Sequence, residues 1–173
     1  MKKALIIAGE ASADLYAGNI VKSFKKRVND INFFSIGGEK LRDAGAEILC
    51  DYKDISVVGA VEVFSHIKKI LKAIKQTVNW IRENNPDFII FIDFPDFNFR
   101  VIKKIKKFYR GKIIYFISPQ VWAWREKRAK FLKDNVDEMF VILPFEKDFY
   151  KQYGIEVDFE GHPILDAIAP ALE

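Results

Sequence analysis

The chain has 173 residues, of which 50% are hydrophobic and 30% are charged, a balance that excludes a disordered chain and allows a sizeable core. The formal net charge of +4 is too small for a dedicated nucleic-acid-binding domain. A single cysteine, Cys50, excludes an internal disulfide and a cysteine-based zinc site. The sequence contains neither an apolar run of about 18 residues nor a signal-peptide pattern, so we expect a soluble, cytoplasmic protein.

Short apolar runs alternate with longer amphipathic segments along the whole chain. The apolar runs predict strands over Ala4–Ala8, Asn32–Ile36, Glu47–Cys50, Phe88–Ile92, Ile113–Ile117, Met139–Leu143 and Val157–Phe159. The amphipathic segments predict helices over Asp14–Val28, Val61–Asn84, Phe97–Tyr109, Trp122–Asn135 and Phe145–Tyr153. Near-continuous hydrophobicity within a strand is typical of a parallel sheet that helices cover on both faces. We therefore predict one α/β domain with a doubly wound, Rossmann-like parallel sheet.

Unusual residues follow the predicted strands, at the edge where such sheets bind ligands. They lie in segments 9–14, 37–38, 93–98, 118–125, 144–146 and 161–163. The connections at the opposite edge, such as 29–30 and 84–86, look like ordinary polar turns. This asymmetry predicts a functional crevice at the carboxyl ends of the strands.

The first two of these loops each allow two interpretations. Segment 9–14 has neither the dinucleotide-binding glycine pattern nor a P-loop. Ser12 can cap the next helix and Asp14 suits its first turn, whereas Glu10, directly after a buried strand, is not needed for a cap. Gly37 and Gly38 either form a tight turn or let the backbone approach a sugar or phosphate.

The loop after the fourth strand places Asp93, Asp96 and Asn98 among four aromatic rings. Partial desolvation there would raise the pKa of a carboxyl group and suit a general base. Alternatively, Asp96 caps the following helix and Asp93 binds loop amides. The spacing alone does not decide between these interpretations.

Two further segments combine aromatic or apolar residues with cations. Trp122 and Trp124 offer ring faces to a sugar or an acyl chain, and the cations that begin at Arg125 either attract phosphate or form a solvated helix face. The helix from Val61 covers the sheet, and its apolar start beside lysines also fits a membrane surface.

The basic cluster 103–112 attracts anionic lipid or nucleic acid, or only solubilises the chain. The two histidines lack metal-ligand spacing, so no metal site is predicted.

Taken together, these loops resemble the lipid-A-disaccharide synthase family, which are inverting glycosyltransferases of the GT-B fold. The matching segments are Gly9-Glu10-Ala11-Ser12-x-Asp14, Gly37-Gly38, Val58-Gly59-x-Val61-Glu62-Val63, Pro86-Asp87, Ile92-Asp93-x-Pro95-Asp96-Phe97-Asn98, Ser118-Pro119-x-Val121-Trp122-Ala123-Trp124-Arg125, Leu143-Pro144-Phe145-Glu146 and Gly161-His162-Pro163. One departure is Ala13, where the family usually has glycine. We expect this methyl group to alter the loop slightly without loss of chemistry.

The resemblance implies a reaction of lipid A biosynthesis at the inner face of the inner membrane, with no cofactor. A 2,3-diacylglucosamine unit moves from UDP-2,3-diacylglucosamine to 2,3-diacylglucosamine 1-phosphate (lipid X), giving the disaccharide 1-phosphate and UDP. Asp96 would be the general base, with Glu10 as a second catalytic residue. The implied substrate-binding residues are Ser12, Asp14, Gly37, Gly38, Asp93, Asn98, Ser118, Trp122, Trp124 and Arg125. Val61, Phe64, Ile67 and Leu71 are the implied contacts to acyl chains or the membrane.

The resemblance also implies that a C-terminal domain, absent from this chain, holds the nucleotide. Residues 1–168 would then be the acceptor-side domain, inactive or nearly so alone, and 169–173 a linker or a non-native tail. A competing hypothesis is a flavodoxin-like binding or signalling module, in which Glu10, Asp14 and Asp93 together bind Mg²⁺. A nucleic-acid-binding domain is the least favoured, because the net charge is small and the aromatic residues are not interleaved on one strand face.

Overall fold

The computed structural model describes residues 1–55, 63–119 and 127–165. The strands in these ranges are β1 (Lys2–Ala8), β2 (Ile31–Gly37), β3 (Glu47–Asp51), β4 (Phe88–Ile92), β5 (Lys112–Phe116), β6 (Glu138–Val141) and β7 (Asp158–Phe159). The α-helices are α1 (Ala11–Arg27), α2 (Glu39–Asp43), α3 (Val63–Asn84), α4 (Pro95–Ile105), α5 (Lys127–Lys133) and α6 (Phe145–Gln152). A short 3-10 turn, Tyr52–Asp54, follows β3. No helix in these ranges combines the length and the hydropathy that crossing a bilayer requires.

The strands form one parallel sheet in the order β3-β2-β1-β4-β5-β6-β7. The chain builds outward from β1 in one direction and then, from β4, in the other. Ala8 pairs with Ile92, so the loops after β1 and β4 start side by side. In such sheets the ligand crevice opens where the strand order reverses, which places it between these two loops.

Both faces of the central strands are buried, which explains why the strands read as continuous apolar runs. Leu5 and Phe91, fully buried, belong to the core layer shared with α3 and α4. Ile6 and Ile90 point the other way, into the layer covered by α1 and α2. The predicted doubly wound α/β fold is confirmed.

The predicted helix starts differ from the observed ones in a way that affects the site. Helix α1 begins at Ala11, before the predicted Asp14, and α4 begins at Pro95, a residue well suited to a first helical position because its ring fixes φ. Helix α2 was not predicted, because five residues are too few to display a helical period. The start of the predicted helix at Trp122 lies outside the described residues.

Candidate active site

The loop that follows β4 is held in a strained conformation. Asp93 and Phe94 both have left-handed backbones, with φ of +44° and +45°, a region that costs a residue with a side chain of the order of 1 kcal/mol or more. The carbonyl oxygen of Asp93 accepts hydrogen bonds from the Tyr115 hydroxyl at 2.8 Å and from Asn98 Nδ2 at 2.5 Å. Two buried side chains, Tyr115 and Asn98, therefore bind this turn from the interior of the domain.

The side chain of Asp93 lies at the point where the strand order reverses. It is half-buried, and burial together with the nearby Glu10 carboxylate raises its pKa, against a smaller lowering by a hydrogen bond from the Phe94 backbone. Glu10 is exposed and immediately precedes α1. The site thus contains a pair of acidic residues from adjacent strand ends, one of which binds its proton more tightly than an ordinary aspartic acid.

Asp96 lies in a different environment from Asp93. It occupies the first turn of α4, its side chain is 73% exposed, and its Oδ1 pairs with Arg128 Nη2 at 2.6 Å. The prediction of a desolvated Asp96 is therefore wrong. The reason is helical geometry, since Phe97 turns into the core while its neighbour Asp96 faces outward. The capping alternative is also wrong, because the N-cap position belongs to Phe94.

Ser12 and Gly9 lie where the chain leaves β1. Ser12 is exposed in the first turn of α1, whose N-cap position is Glu10 without a side-chain cap, so the capping interpretation of Ser12 is wrong. A Cβ atom at Gly9 would overlap the ring of Phe94, which stacks on Phe97 at 5.2 Å between ring centroids. The glycine at position 9 is thus required by a close approach from the β4 loop.

Asp14 is buried, at 3% exposure, and anchors the glycine turn after β2. Its Oδ1 accepts from the backbone N–H of Gly38 at 2.7 Å and of Leu41 at 3.3 Å, and its Oδ2 from that of Lys40 at 2.9 Å. These donors belong to the N-terminus of α2, whose dipole favours an anion. A direct substrate contact by Asp14 would require this turn to open.

Gly37 and Gly38 are closely packed by neighbouring side chains. An added Cβ would overlap Leu41 at position 37 and Tyr52 at position 38. Of the two interpretations of this pair, the packed tight turn is the one that the structure supports.

Asn98 and Ser118 were predicted to bind substrate, but in this structure both are buried, at 0% and 4% exposure. Asn98 binds the Asp93 carbonyl from inside, and Ser118 Oγ lies 3.0 Å from the Tyr150 hydroxyl. That hydroxyl also donates to the Pro119 carbonyl at 3.2 Å. The two polar side chains therefore support the loops after β4 and β5, and their burial contradicts the prediction that they contact substrate.

Other predicted positions lie partly or wholly outside the described residues. Val61, Trp122, Trp124 and Arg125 fall in segments that the structure does not describe, and only the backbone of Phe64 is described, in the first turn of α3. Ile67 and Leu71 are 47% and 48% exposed. Both are therefore accessible, as a contact to lipid requires.

A groove of about 580 Å³ runs between α3 and α4. Leu71, Ile74 and Val78 supply its apolar lining. The remaining lining residues are all cationic: Arg82, Arg100, Lys103, Lys104 and Lys107. The sequence pattern indicated the lysine cluster and the apolar helix separately, and packing brings them together.

The flavodoxin-like alternative requires Glu10, Asp14 and Asp93 to converge on a cation. Among the residues that the structure describes, no three His, Cys, Asp or Glu side chains are grouped to hold a metal ion. The Asp14 carboxylate is directed at α2 instead. The geometry therefore does not support the magnesium site that this alternative predicts.

Comparison with known proteins places this arrangement in a family. A family model described as lipid-A-disaccharide synthetase matches residues 4–172. The chain belongs to the lipid-A-disaccharide synthase family. Relatives carrying that name include proteins of Trichlorobacter lovleyi, 45% identical over 99% of this chain, and Legionella pneumophila, 41% identical over 98%. In both cases the match covers 44% of the relative, so the chain spans less than half the length of these synthases.

Solved structures with the same fold have little sequence in common with the chain. A putative UDP-N-acetylglucosamine 2-epimerase from Listeria monocytogenes superposes with a TM-score of 0.72 at 13% identity, covering 98% of this chain and 47% of that one. UDP-GlcNAc 2-epimerase from Neisseria meningitidis gives a TM-score of 0.67 at 12% identity, covering 98% and 48%. At this level of identity the likenesses show the fold alone, and they agree with the Rossmann-like parallel sheet described above.

Proposed function

We propose that this chain is the acceptor-side domain of a lipid-A-disaccharide synthase. The complete enzyme would transfer 2,3-diacylglucosamine from its UDP derivative to 2,3-diacylglucosamine 1-phosphate and release UDP. The observation that carries the proposal is the Asp93 carboxyl beside Glu10, at the reversal point of the sheet in a member of this family. Residues 1–168 would form the domain, and the nucleotide would be held mainly by the part of the synthase that lies beyond it.

The reaction requires a base, because the acceptor hydroxyl must lose its proton as its oxygen attacks the anomeric carbon and UDP departs. We assign this role to Asp93. A carboxylate whose pKa is raised by burial and by Glu10 accepts a proton more readily than an ordinary one. Asp96, the base expected from the sequence, is 73% exposed and its Oδ1 pairs with Arg128 Nη2 at 2.6 Å, so it lacks the partly buried environment of Asp93.

The proposed roles of the other site residues follow from their exposure. Glu10, whose charge acts on Asp93, and Ser12, in the first turn of α1, are both exposed, and we assign them the orientation of the acceptor sugar. Trp122, Trp124 and Arg125 remain proposed contacts to the sugar and its phosphate. Asp14, Asn98 and Ser118 would act indirectly, by holding the loops.

The experiment that tests this proposal compares two isosteric variants in the complete enzyme. Asp93→Asn should lower kcat by at least about 100-fold, as expected for loss of a general base, whereas Asp96→Asn should lower it by less than about tenfold. A large loss confined to Asp96→Asn would return the role to Asp96. Near-normal kcat in both variants would overturn the assignment of the base to this loop.

We also propose that the domain lies on the inner face of the inner membrane, where its acylated substrates are dissolved. The exposed side chains of Ile67 and Leu71 and the cationic groove between α3 and α4 support this proposal. Apolar side chains that flank a basic surface are the combination with which peripheral proteins bind anionic bilayers.

A further inference from the structure

The turn that carries Asp93 rests on a buried hydroxyl. Tyr115 lies on β5, next to β4 in the sheet, and its side chain is completely buried. Its hydroxyl donates to the carbonyl oxygen of Asp93 at 2.8 Å. Because β5 pairs with β4 on one side and with β6 on the other, this donor belongs to the interior of the sheet.

Asn98 closes a three-membered network around the same carbonyl. Its Nδ2 donates to the Asp93 oxygen at 2.5 Å and to the Tyr115 hydroxyl at 3.3 Å. The Asp93 carbonyl can only accept, so the amide nitrogen must face it, since a flipped amide would bring two acceptors together. Asn98 Oδ1 is consequently buried without a hydrogen-bond partner. A buried acceptor without a partner destabilises the fold, so this amide favours the conformation of the turn at the expense of stability.

We propose that Tyr115 and Asn98 are positioning residues that hold the left-handed Asp93–Phe94 turn and thereby fix the Asp93 carboxyl in the crevice beside Glu10. The inference rests on the proposed function only for its effect on catalysis. The hydrogen bonds from the two donors offset the strain of two consecutive left-handed residues that carry side chains. Without these donors the strain would no longer be offset. The turn would relax, and the carboxyl would move toward solvent.

Tyr109 provides a matched control. It is also buried, and its hydroxyl also donates to a loop carbonyl, that of Pro86, at 2.9 Å. Pro86 precedes β4, whereas Asp93 follows it. Tyr115→Phe and Tyr109→Phe therefore remove the same chemical group and the same kind of hydrogen bond at opposite edges of the sheet.

The first measurement follows the Asp93 carboxyl carbon by NMR during a pH titration of this chain. In the unmodified chain burial and Glu10 act on this carboxyl, and the Tyr115 hydroxyl binds the backbone carbonyl of the same residue from β5. Tyr115→Phe should move the midpoint to lower pH, because the released carboxyl loses part of its burial, while Tyr109→Phe should leave it in place. An unchanged midpoint in Tyr115→Phe, or equal shifts in both variants, would overturn the proposal.

The second measurement uses the complete enzyme and separates positioning from stability. Tyr115→Phe should lower kcat by about tenfold, the effect of a misplaced reacting group, with KM changed less than about twofold. Each variant loses one buried hydrogen bond, so the urea midpoints of Tyr115→Phe and Tyr109→Phe should fall by similar amounts. Tyr109→Phe should nevertheless keep its kcat. Equal kcat values in the two variants would contradict the inference.

Asn98→Leu is the second variant, chosen because it removes the unpartnered acceptor together with the donor. We expect its urea midpoint to stay level or rise while kcat falls by about tenfold. A lower midpoint with normal kcat would show that Asn98 serves stability alone.

Failure of this inference is distinguishable from failure of the proposed function. If the Asp93 titration moves as expected in Tyr115→Phe but Asp93→Asn retains full activity, the positioning holds and the assigned base is wrong. If Asp93→Asn is inactive and the Tyr115→Phe midpoint and kcat are both unchanged, the base stands and the positioning role is lost.

Discussion

The Asp93 carboxyl binds its proton more tightly in the folded chain than in the unfolded chain. Burial and the charge of Glu10 raise its pKa in the folded state, and neither acts in the unfolded state. Between the two pKa values the folded chain holds more protons than the unfolded one. The free energy of unfolding therefore decreases as pH rises through this window, and the full loss persists at neutral pH.

Replacement of Asp93 by asparagine removes this titration. Asp93→Asn should be more stable than the unmodified chain at pH 7, and this gain should vanish below the ordinary pKa of an aspartic acid, about 3.9. Urea unfolding curves between pH 3 and pH 8 measure the difference. Asp96→Asn is the control, since its side chain is 73% exposed and paired. A constant difference across the pH range would contradict the environment described for Asp93.

The sequence could identify chemically unusual side chains, but it could not show which of them are buried. Glu10 was recognisable because a carboxylate directly after a buried strand is not needed for a cap, and Asp93 because it lies among aromatic residues. Asp14 looked equally suited to a ligand, yet it binds the N–H of Gly38, which is 24 residues away in the chain. Such partners are brought together by tertiary folding, which local spacing does not encode.

The pairing of α3 with α4 creates a surface that neither helix has alone. Helix α3 presents Leu71, Ile74 and Val78, and α4 presents Arg100, Lys103 and Lys104 across the groove. Each cation close to an anionic bilayer contributes about 1 kcal/mol of attraction. The apolar side chains favour insertion at the same place.

Charge reversal in this groove should weaken binding to anionic membranes. We expect the double variant Lys103→Glu with Lys104→Glu to reduce binding to vesicles of phosphatidylglycerol and phosphatidylcholine by at least about tenfold, as measured by co-sedimentation. Lys22→Glu with Lys26→Glu makes the same charge change on exposed positions of α1, on the other face of the sheet. Equal losses in the two variants would show that net charge, and not the groove, determines binding.

Elements with a strong apolar period were the most predictable. The strand runs and the long helix α3 contain enough buried positions to display their periods, whereas α2 has only five residues. The start of α4 was misplaced because Pro95 and Asp96 suit a loop as well as a first helical turn. The groove itself could not be predicted, because its two sides come from helices separated by a strand.

The chain aligns with 44% of two of its synthase relatives, and the proposed acceptor-side role predicts how it binds ligands. If acceptor and donor are recognised by different halves, 2,3-diacylglucosamine 1-phosphate should bind this chain and UDP should not. Tryptophan fluorescence can report the difference. Trp80 packs against Phe34 with ring centroids 4.8 Å apart, so its signal should stay constant.

Titration with the lipid should give a saturable fluorescence change, and titration with UDP should give none. Trp122→Phe combined with Trp124→Phe should abolish the response, whereas Trp80→Phe should retain it. UDP binding with saturation, and no response to the lipid, would assign the donor site to this half instead. A response lost only in Trp80→Phe would mean that the lipid binds away from the proposed crevice.

The architecture of the whole domain was predictable because the strands of a parallel sheet that is buried on both faces are continuous apolar runs in the sequence. The sequence also predicted a crevice at the carboxyl ends of the strands, but its place between β1 and β4 follows only from the strand order of the folded sheet. The strained turn at Asp93 was not, because two left-handed residues with side chains have no local sequence signature. That conformation depends on Tyr115, which belongs to a strand that comes later in the chain.

The contact between Gly9 and Phe94 also restricts how this chain can change by mutation. Because the ring occupies the space that a side chain at position 9 would need, a mutation at 9 is tolerated only in a background where 94 has already become smaller. When position 94 changes first, the intermediate has a gap beside Gly9 and lacks the stacking of Phe94 on Phe97, but it contains no clash. The two substitutions must therefore occur in a fixed order, position 94 before position 9. Once position 9 carries a larger residue, Phe94 cannot be restored by a single mutation.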